Sequence, residues 1–133
     1  MQNFDNYCEF VDQVTSQPSK SSETFLARLD ELEANNCEIH RLLTAGVGLN
    51  AEGGEFLEIV KKIVFQGKEY NEDNREHMII ELGDVMWYVA QACMALNIDM
   101  NEVLDINIKK LSKRYPEGTF DAYFSENRAA NDR

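Results

Sequence analysis

The sequence predicts a single all-α domain, and three observations favour this class. Glycine and proline are scarce, at 7 and 2 of 133 residues, which argues against a turn-rich β architecture. Leu, Ile, Met, Ala, Glu and Lys dominate the composition, which favours helices. Apolar side chains recur at helical spacing along most of the chain. A chain of this length is expected to bury about two-thirds of its unfolded surface around one modest core.

The N-terminal part of the chain is expected to form two short helices. Apolar residues at helical spacing predict a helix over residues 4–14, and the polar stretch 16–22 interrupts this pattern. Ser22 is a suitable N-cap for a second helix that reaches about Glu33. We expect a junction at residues 35–36, where two asparagines follow one another.

Two long helices are predicted in the middle of the chain. The first covers about residues 37–65 and ends near Gly67, because glycine readily adopts the left-handed conformation that closes helices. A polar loop over residues 67–74 separates it from the second helix, which covers about residues 74–96.

A last helix is predicted near the C-terminus. Asp99 or Asn101 can cap its first turn, and the helix is expected to reach about Tyr115, where Pro116 stops it. The tail from Ser125 onward is polar, so we expect it to fray.

The charge balance restricts the partners. A formal net charge of −11 argues against a general nucleic-acid binder, because phosphate backbones need a basic surface. An anionic nucleotide would need a metal ion that bridges protein carboxylates to its phosphates. The N-terminus shows no signal-peptide pattern, and no apolar run approaches the ~20 residues of a membrane span. We therefore expect a cytoplasmic protein without nucleic-acid or membrane partners.

The cysteine pattern also indicates a cytoplasmic protein. Cys8, Cys37 and Cys93 show no close paired spacing, so they are expected to be reduced, buried thiols. Zinc ligation by cysteine is not expected.

Two four-residue units carry the candidate chemistry, Glu52-Gly53-Gly54-Glu55 and Glu81-Leu82-Gly83-Asp84. Residues i and i+3 lie on one face of a helix, so each unit projects two carboxylates to one side. If the two long helices pack face to face, four carboxylates converge. On a helical wheel, Glu52 lies inside the apolar arc of its helix and Glu55 at its edge. Glu81 lies at the border of the second arc, and Asp84 lies one step outside it.

Carboxylates set against an apolar face need a cation. An unpaired buried carboxylate costs several kcal/mol, and neighbouring carboxylates raise each other's pKa unless a positive ion lies among them. Oxygen ligands alone suit Mg²⁺, with Mn²⁺ as a substitute. A di-iron site is disfavoured because it uses Glu-x-x-His units, and neither His40 nor His77 lies three residues after a glutamate.

The alternative interpretation of these units is a solvated acidic face, which is common in a chain with 24 acidic residues. Two units that both border apolar arcs make that interpretation less favourable. Gly53, Gly54 and Gly83 each cost a helix about 1 kcal/mol relative to alanine, which predicts a close backbone approach near the acids. Glu58 extends the first row by another turn, either beside the site or on the surface.

Basic residues offer contacts for phosphate groups. Asn107, Lys110 and Arg114 share one face of the last helix, where they suit phosphates or a leaving pyrophosphate. Cations at a helix C-terminus also offset the helix dipole, which is the alternative explanation. Lys68 and two lysines just before it form a looser group that is either solvated or part of the site.

Two aromatic residues directly follow the second acidic unit. Tyr88 lies one turn after Asp84 on the side of the acids, where its ring could stack on a base or belong to the core. Trp87 is expected at a subunit contact instead.

These motifs, in this order, resemble those of the MazG-like all-α nucleoside triphosphate pyrophosphohydrolases, and most of all the short single-domain members of bacteria and phages. The specific part is an E-x-x-E unit followed by E-x-x-D together with a basic segment. The resemblance covers about residues 40–120 and is carried by four segments, which are residues 48–55, 63–68, 81–89 and 107–116.

The resemblance implies a four-helix bundle, which we expect over residues 37–120. The residue patterns add N-terminal helical segments over residues 1–36 and a polar tail over residues 125–133 to the same single domain. It implies a homodimer or homotetramer whose sites lie near subunit interfaces. The implied catalytic and metal-binding residues are Glu52, Glu55, Glu81 and Asp84. The resemblance implies that Asn107, Lys110 and Arg114 contact the phosphates or the sugar, some of them from a neighbouring subunit. Tyr88 and Lys68 complete the candidate substrate-binding residues by their positions in the sequence.

The implied reaction is Mg²⁺-dependent hydrolysis of a (d)NTP to (d)NMP and pyrophosphate, with a lean to purine deoxynucleotides such as dGTP. Mg²⁺ would polarise the α-phosphate and activate a water, and Glu52 or Glu55 would accept the proton. The implied location is the cytoplasm of a bacterium, or of a host cell if the chain is phage-encoded. Two alternatives stay open, a non-catalytic nucleotide-binding module and a structural helical dimerisation module.

Overall fold

A computed structural model describes residues 3–128, and all regular structure within them is helical. The predicted all-α class is therefore confirmed. Residues 129–133, which belong to the predicted polar tail, lie outside the described residues. The helices, in chain order, are α1 (Phe4–Val14), α2 (Gln17–Lys20), α3 (Ser22–Ala34), α4 (Ile39–Phe65), α5 (Glu72–Leu96), α6 (Met100–Arg114) and α7 (Ala122–Glu126).

The helix starts follow capping chemistry, with small shifts from the predicted positions. Ser21, one residue earlier than predicted, caps α3 by accepting from the backbone N–H of Thr24 at 3.4 Å. Asn71 caps α5 by accepting from the backbone N–H of Asn74 at 3.0 Å, so this helix starts earlier than predicted. Asp99, and not Asn101, is the N-cap of α6, and its side chain accepts from the backbone N–H of Asn101 at 2.7 Å.

Two short helices were not predicted. The single turn α2 lies within the polar stretch 16–22, and Pro18 in its first turn supplies a backbone angle that suits a helix start. The turn α7 extends to Glu126 and thus reaches the first two residues of the predicted polar tail. Asp121 caps α7 by accepting from the backbone N–H of Tyr123 at 2.7 Å.

Helices α4 and α5 make the most extensive helix–helix contact, and they run antiparallel. Near the start of α4, the guanidinium of Arg41 donates to the side-chain oxygen of Gln91 at 3.0 Å. Further along, Glu52 faces Glu81. Residue numbers thus rise along α4 while they fall along α5. The turn between the two helices begins at Gly67, whose φ of 68° requires the freedom of glycine.

The core of the single chain is thinner than its length predicts. The buried apolar residues among those described are Ala45, Ile59 and Cys93. The accessible surface is 10757 Å², whereas a compact monomer of 15.3 kDa has about 7,100 Å² and its unfolded chain about 22,000 Å². The chain therefore buries roughly half of its unfolded surface, and the expected two-thirds is wrong for the chain alone.

Both long helices expose apolar side chains on the faces that point away from each other. On α4, Val47 and Leu57 are 70% and 63% exposed. On α5, Ile79 and Trp87 are 50% and 52% exposed. Helix α5 is long and apolar enough to cross a membrane by length and composition alone. The core helices of soluble proteins can meet the same two criteria. Contiguous exposed apolar patches of more than a few hundred Å² are rare on soluble monomers.

The cysteines are free, as predicted, but they are not uniformly buried. Cys93 is buried in the α4–α5 contact region, Cys37 is half-buried and Cys8 on α1 is exposed. The prediction of a buried thiol at Cys8 is wrong because no other helix covers that face of α1 among the described residues.

Candidate metal centre

Three carboxylates meet at the middle of the α4–α5 hairpin. Glu52 and Glu55 come from α4, and Glu81 comes from α5. One ligand oxygen from each of them lies within 4.8 Å of the others. We call these three residues the carboxylate cluster. The i, i+3 spacing places the first two on one face of α4, and the antiparallel register brings the third opposite them.

The members of the carboxylate cluster differ in burial. Glu81 is 5% exposed and is the buried charged residue of the described chain, Glu52 is half-buried, and Glu55 is exposed. Glu81 is thus deeper than the border position predicted from the wheel. Leu82, which the wheel placed in the apolar arc, is 50% exposed, so the buried face of α5 is rotated toward Glu81.

Electrostatics within the cluster are unfavourable without a cation. Partial burial raises the pKa of Glu52, and the negative charges of Glu55, Asp84 and Glu81 raise it further. A carboxyl group whose pKa is raised by its neighbours' charge gains from a positive ion placed among them. The cluster therefore has the electrostatic character of a cation site.

The geometry and the ligand chemistry fit a hard divalent ion. Mg²⁺ binds oxygen ligands at about 2.0–2.1 Å, so two oxygens on opposite sides of one ion lie about 4.2 Å apart. Only one pair among three ligands can lie on opposite sides and the other pairs lie about 2.9 Å apart, so the cluster's oxygens, within 4.8 Å of one another, approach by up to about 2 Å when they share one ion. Rotation about the side-chain bonds of Glu55, which is exposed, supplies such a movement.

Asp84 is not one of the three carboxylates whose oxygens lie within 4.8 Å of one another, and its convergence with them stays a prediction. It is exposed one turn beyond Glu81 on α5. Asp84 is displaced by about 60° around the helix from Glu81, and its side chain is one methylene group shorter than that of a glutamate. Asp84 is nevertheless close enough for its charge to raise the pKa of Glu52.

A histidine that sequence reasoning had set aside contacts the cluster. The Nε2 atom of His77 lies 2.9 Å from Oε1 of Glu81, one helical turn away on α5. This pair does not form a Glu-x-x-His unit, because the histidine precedes the glutamate by four residues. The i, i+4 spacing in the sequence was the signal that could have revealed it.

The predicted close backbone approach at the glycines of the two units is wrong within this chain. A Cβ at Gly53, Gly54 or Gly83 would meet no atom within 4 Å. The close approach occurs instead at Gly48, where an added Cβ would overlap the ring of Tyr88. This glycine lets the aromatic ring of α5 pack directly against the backbone of α4.

The two aromatic residues after the second acidic unit contact each other. The rings of Trp87 and Tyr88 lie edge to face with centroids 4.8 Å apart. Tyr88 is half-buried against α4, while Trp87 is 52% exposed on the outer face of α5. A contact of Tyr88 with a base stays a prediction, as does a subunit contact of Trp87.

The basic residues at the end of α4 are engaged on the surface. Glu58 pairs with Lys62 at 3.1 Å and with Lys61 at 3.9 Å. The hydrogen bond from Lys62, together with the charges of both lysines, lowers the pKa of Glu58. Of the two predicted positions of Glu58, beside the site or on the surface, the structure therefore shows the surface position. Lys68 lies half-buried in the turn between α4 and α5.

The predicted phosphate-binding face lies on α6. Lys110 and Arg114 are half-buried there, and Asn107 is exposed. Helix α6 makes at most minor contacts with the other described helices. The single chain therefore does not pack this face against the carboxylate cluster.

Comparison with known proteins identifies the region that carries the site. The MazG nucleotide pyrophosphohydrolase domain matches residues 42–119, which include the whole carboxylate cluster. The "Gene 37 protein" of Mycobacterium phage L5 is 39% identical over 88 residues, which are 64% of this chain and 76% of that protein. No solved structure matches the chain.

Proposed function

Because the chain belongs to the MazG nucleotide pyrophosphohydrolase family, we propose that it hydrolyses a nucleoside triphosphate to the monophosphate and pyrophosphate with the help of Mg²⁺. The observation that carries this proposal is the carboxylate cluster, whose ligand oxygens lie within 4.8 Å of one another. Mn²⁺ is the expected substitute, since both ions favour oxygen ligands.

Glu52, Glu55 and Glu81 are the proposed metal ligands, and Asp84 is the proposed fourth. Glu81 is held from two sides, by burial against α4 and by the contact with His77. The exposed side chains of Glu55 and Asp84 leave the open side of the site to substrate and water. Asp84 can approach an ion on that side by side-chain rotation, and its charge already acts on Glu52.

An Mg²⁺ ion held by these carboxylates would supply a Lewis acid that draws charge from the phosphates and makes the attacking water more acidic. Glu52 or Glu55 accepts the proton of the attacking water. The water oxygen forms a bond to the α-phosphorus, the bond from that phosphorus to the bridging oxygen breaks, and pyrophosphate leaves with that oxygen. The carboxylates contribute mainly alignment and charge.

The substrate contacts are assigned to residues outside the cluster. Lys110, Arg114 and Asn107 on α6 suit the phosphates and the sugar, because guanidinium, ammonium and amide groups donate to phosphate oxygens. Lys68 lies in the turn after α4 and suits the same role. Tyr88 is assigned to the base. Purine deoxynucleotides such as dGTP are the proposed preference, by resemblance to phage members of the family.

The working form is proposed to be a homodimer or homotetramer. The accessible surface exceeds that of a compact monomer by about 3,600 Å². An excess of this size is typical of chains with an obligate interface. The exposed apolar faces of α4 and α5 are the proposed contact, and α6 of one copy would then reach the site of another.

The proposed location is the cytoplasm, where nucleoside triphosphates and Mg²⁺ are both present. In that case the apolar side chains of α5 pack against another subunit. Glu81 and Asp84, in the middle of the helix, belong to the metal site. Charged residues at the centre of a membrane span are costly, which supports this assignment.

The deciding experiment is incubation of the purified protein with each of the eight common (d)NTPs and Mg²⁺, followed by separation of the products. We expect monophosphate and pyrophosphate in equal amounts and no product after chelation of the metal. Turnover of none of the eight, together with nucleotide-dependent thermal stabilisation, would indicate a binding module instead. Absence of both effects would favour a structural dimerisation module.

A further inference from the structure

The contact between His77 and Glu81 differs from the other ion pairs of the described chain. The pairs Arg75–Glu72 and Lys62–Glu58 join exposed side chains, and such pairs contribute little to stability. In the pair with His77, the Glu81 side chain is only 7% exposed while the histidine side chain is 52% exposed. The histidine thus covers a carboxylate that is otherwise withdrawn from water.

The contact leaves the carboxylate able to bind an ion. Nε2 of His77 lies 2.9 Å from Oε1 of Glu81, so it holds one carboxylate oxygen and leaves the other for an ion. An imidazole nitrogen that carries a proton can donate to a carboxylate oxygen at this distance. Carboxylates that bind metals are commonly oriented in this way by a second group.

The position of His77 also matches the architecture of the cluster. It precedes Glu81 by one turn on α5, so both side chains lie on the same face of that helix. Glu52 and Glu55 approach the same carboxylate from α4. Glu81 is therefore held by its own helix on one side and faces the α4 carboxylates on the other.

The geometry points to His77 as a positioning residue that fixes the rotamer of Glu81 for metal binding. This inference rests on the proposed metal-dependent activity. A carboxylate that is already oriented loses less side-chain freedom when the ion binds, so the ion binds more tightly. The inference predicts that any side chain with a donor at the place of Nε2 preserves the effect.

The test compares His77→Leu with His77→Gln in the full-length protein. The glutamine Nε2 is separated from Cβ by the same number of bonds as the histidine Nε2, so it can donate to Glu81, whereas leucine cannot. Binding of Mn²⁺ to the nucleotide-free protein is followed by electron paramagnetic resonance of the free ion. We expect His77→Leu to weaken Mn²⁺ binding about tenfold or more, and His77→Gln to restore most of it.

A matched control is His40→Leu. The Nδ1 atom of His40 lies 3.6 Å from Glu33, whose carboxylate is outside the cluster, so this variant removes a comparable exposed histidine–glutamate contact. We expect it to bind Mn²⁺ as the wild type does. Circular dichroism verifies that all variants keep their helices.

Unchanged Mn²⁺ binding by His77→Leu would overturn the inference, and so would equal weakening by the leucine and glutamine variants. Activity assays separate the inference from the proposed function. If the wild type hydrolyses (d)NTPs, His77→Leu is expected to need more Mg²⁺ for half-maximal rate, with KM for the nucleotide unchanged at saturating Mg²⁺. A wild type that binds Mn²⁺ through this contact but turns over no nucleotide would refute the proposed function alone.

Discussion

The ring of Tyr88 on α5 occupies the space beside the Cα atom of Gly48 on α4. Gly48 is buried, and the ring would overlap any side chain placed there. Because Tyr88 follows Glu81 by two helical turns, this contact sets how closely α5 approaches α4 near the carboxylate cluster. The glycine thus matters through packing and not through an unusual backbone angle.

Gly48→Ala is expected to destabilise the protein, because the ring of Tyr88 must move. Overpacking of a core costs about 1–3 kcal/mol, whereas alanine gains about 1 kcal/mol over glycine in a helix. Urea unfolding measures the balance, with Gly46→Ala as the control since a Cβ there meets no atom within 4 Å. Adding Tyr88→Ala is expected to relieve the overlap, so additive effects of the two substitutions would contradict the contact.

Glu81→Gln is expected to remove activity while the helical signal stays intact. The amide has the shape of the carboxylate but lacks the charge that holds the ion, so a loss larger than about 100-fold is expected. Mg²⁺ at 100 times its Kd stabilises the wild type by about 2.7 kcal/mol, and this gain is expected to vanish in the variant. Glu76→Gln, an exposed position on the same helix, serves as the control. Retained activity would remove Glu81 from the metal site.

Glu52→Gln is expected to stabilise the metal-free protein at pH 7. The folded-state pKa of Glu52 is raised, so its ionised form is disfavoured by folding, and a neutral amide avoids this cost. Below the unfolded value of 4.5 the wild-type side chain is protonated in both states, so the advantage is expected to disappear there. Thermal unfolding from pH 4 to pH 7 in the presence of a chelator measures it. A variant that is less stable than the wild type at pH 7 would contradict the repulsion within the cluster.

Val47→Glu is expected to disrupt the oligomer. The side chain is 70% exposed in the single chain, where such a substitution changes stability by no more than about 0.5 kcal/mol. If another copy covers this face, a buried unpaired charge opposes assembly. Sedimentation equilibrium of the variant is compared with that of Ala27→Glu, which adds the same charge at an exposed residue of α3, outside both long helices. Equal masses for wild type and Val47→Glu would exclude this face as the interface.

Lys110→Gln is expected to raise KM with a smaller effect on the melting temperature. A hydrogen bond to a charged group contributes about 1.5–3 kcal/mol, which corresponds to about 10–100-fold in binding. Lys109→Gln is the matched control, because this exposed lysine lies about 100° away around α6. Steady-state kinetics at saturating Mg²⁺ measure both variants. A similar KM for the two would assign the basic residues of α6 to the helix dipole instead.

Local features of the fold were predictable because they depend on neighbours in the sequence. Apolar spacing determines the helical class, and short polar side chains such as Asp99 determine where helices begin. The turn α2 escaped prediction because four residues carry too little periodicity to distinguish a helix from a loop. The E-x-x-E spacing likewise placed Glu52 and Glu55 on one face.

The sequence by itself therefore determined the all-α class, the capping positions within a few residues and the acids that form the candidate site. Only the tertiary structure decided which acids meet, because the rotation of α5 against α4 depends on packing between residues far apart in sequence. That rotation buries Glu81, leaves Asp84 exposed and places the ring of Tyr88 beside Gly48. His77 also lies beside a carboxylate that is buried. The contact between them can contribute substantially to the free energy only because α4 shields Glu81 from water.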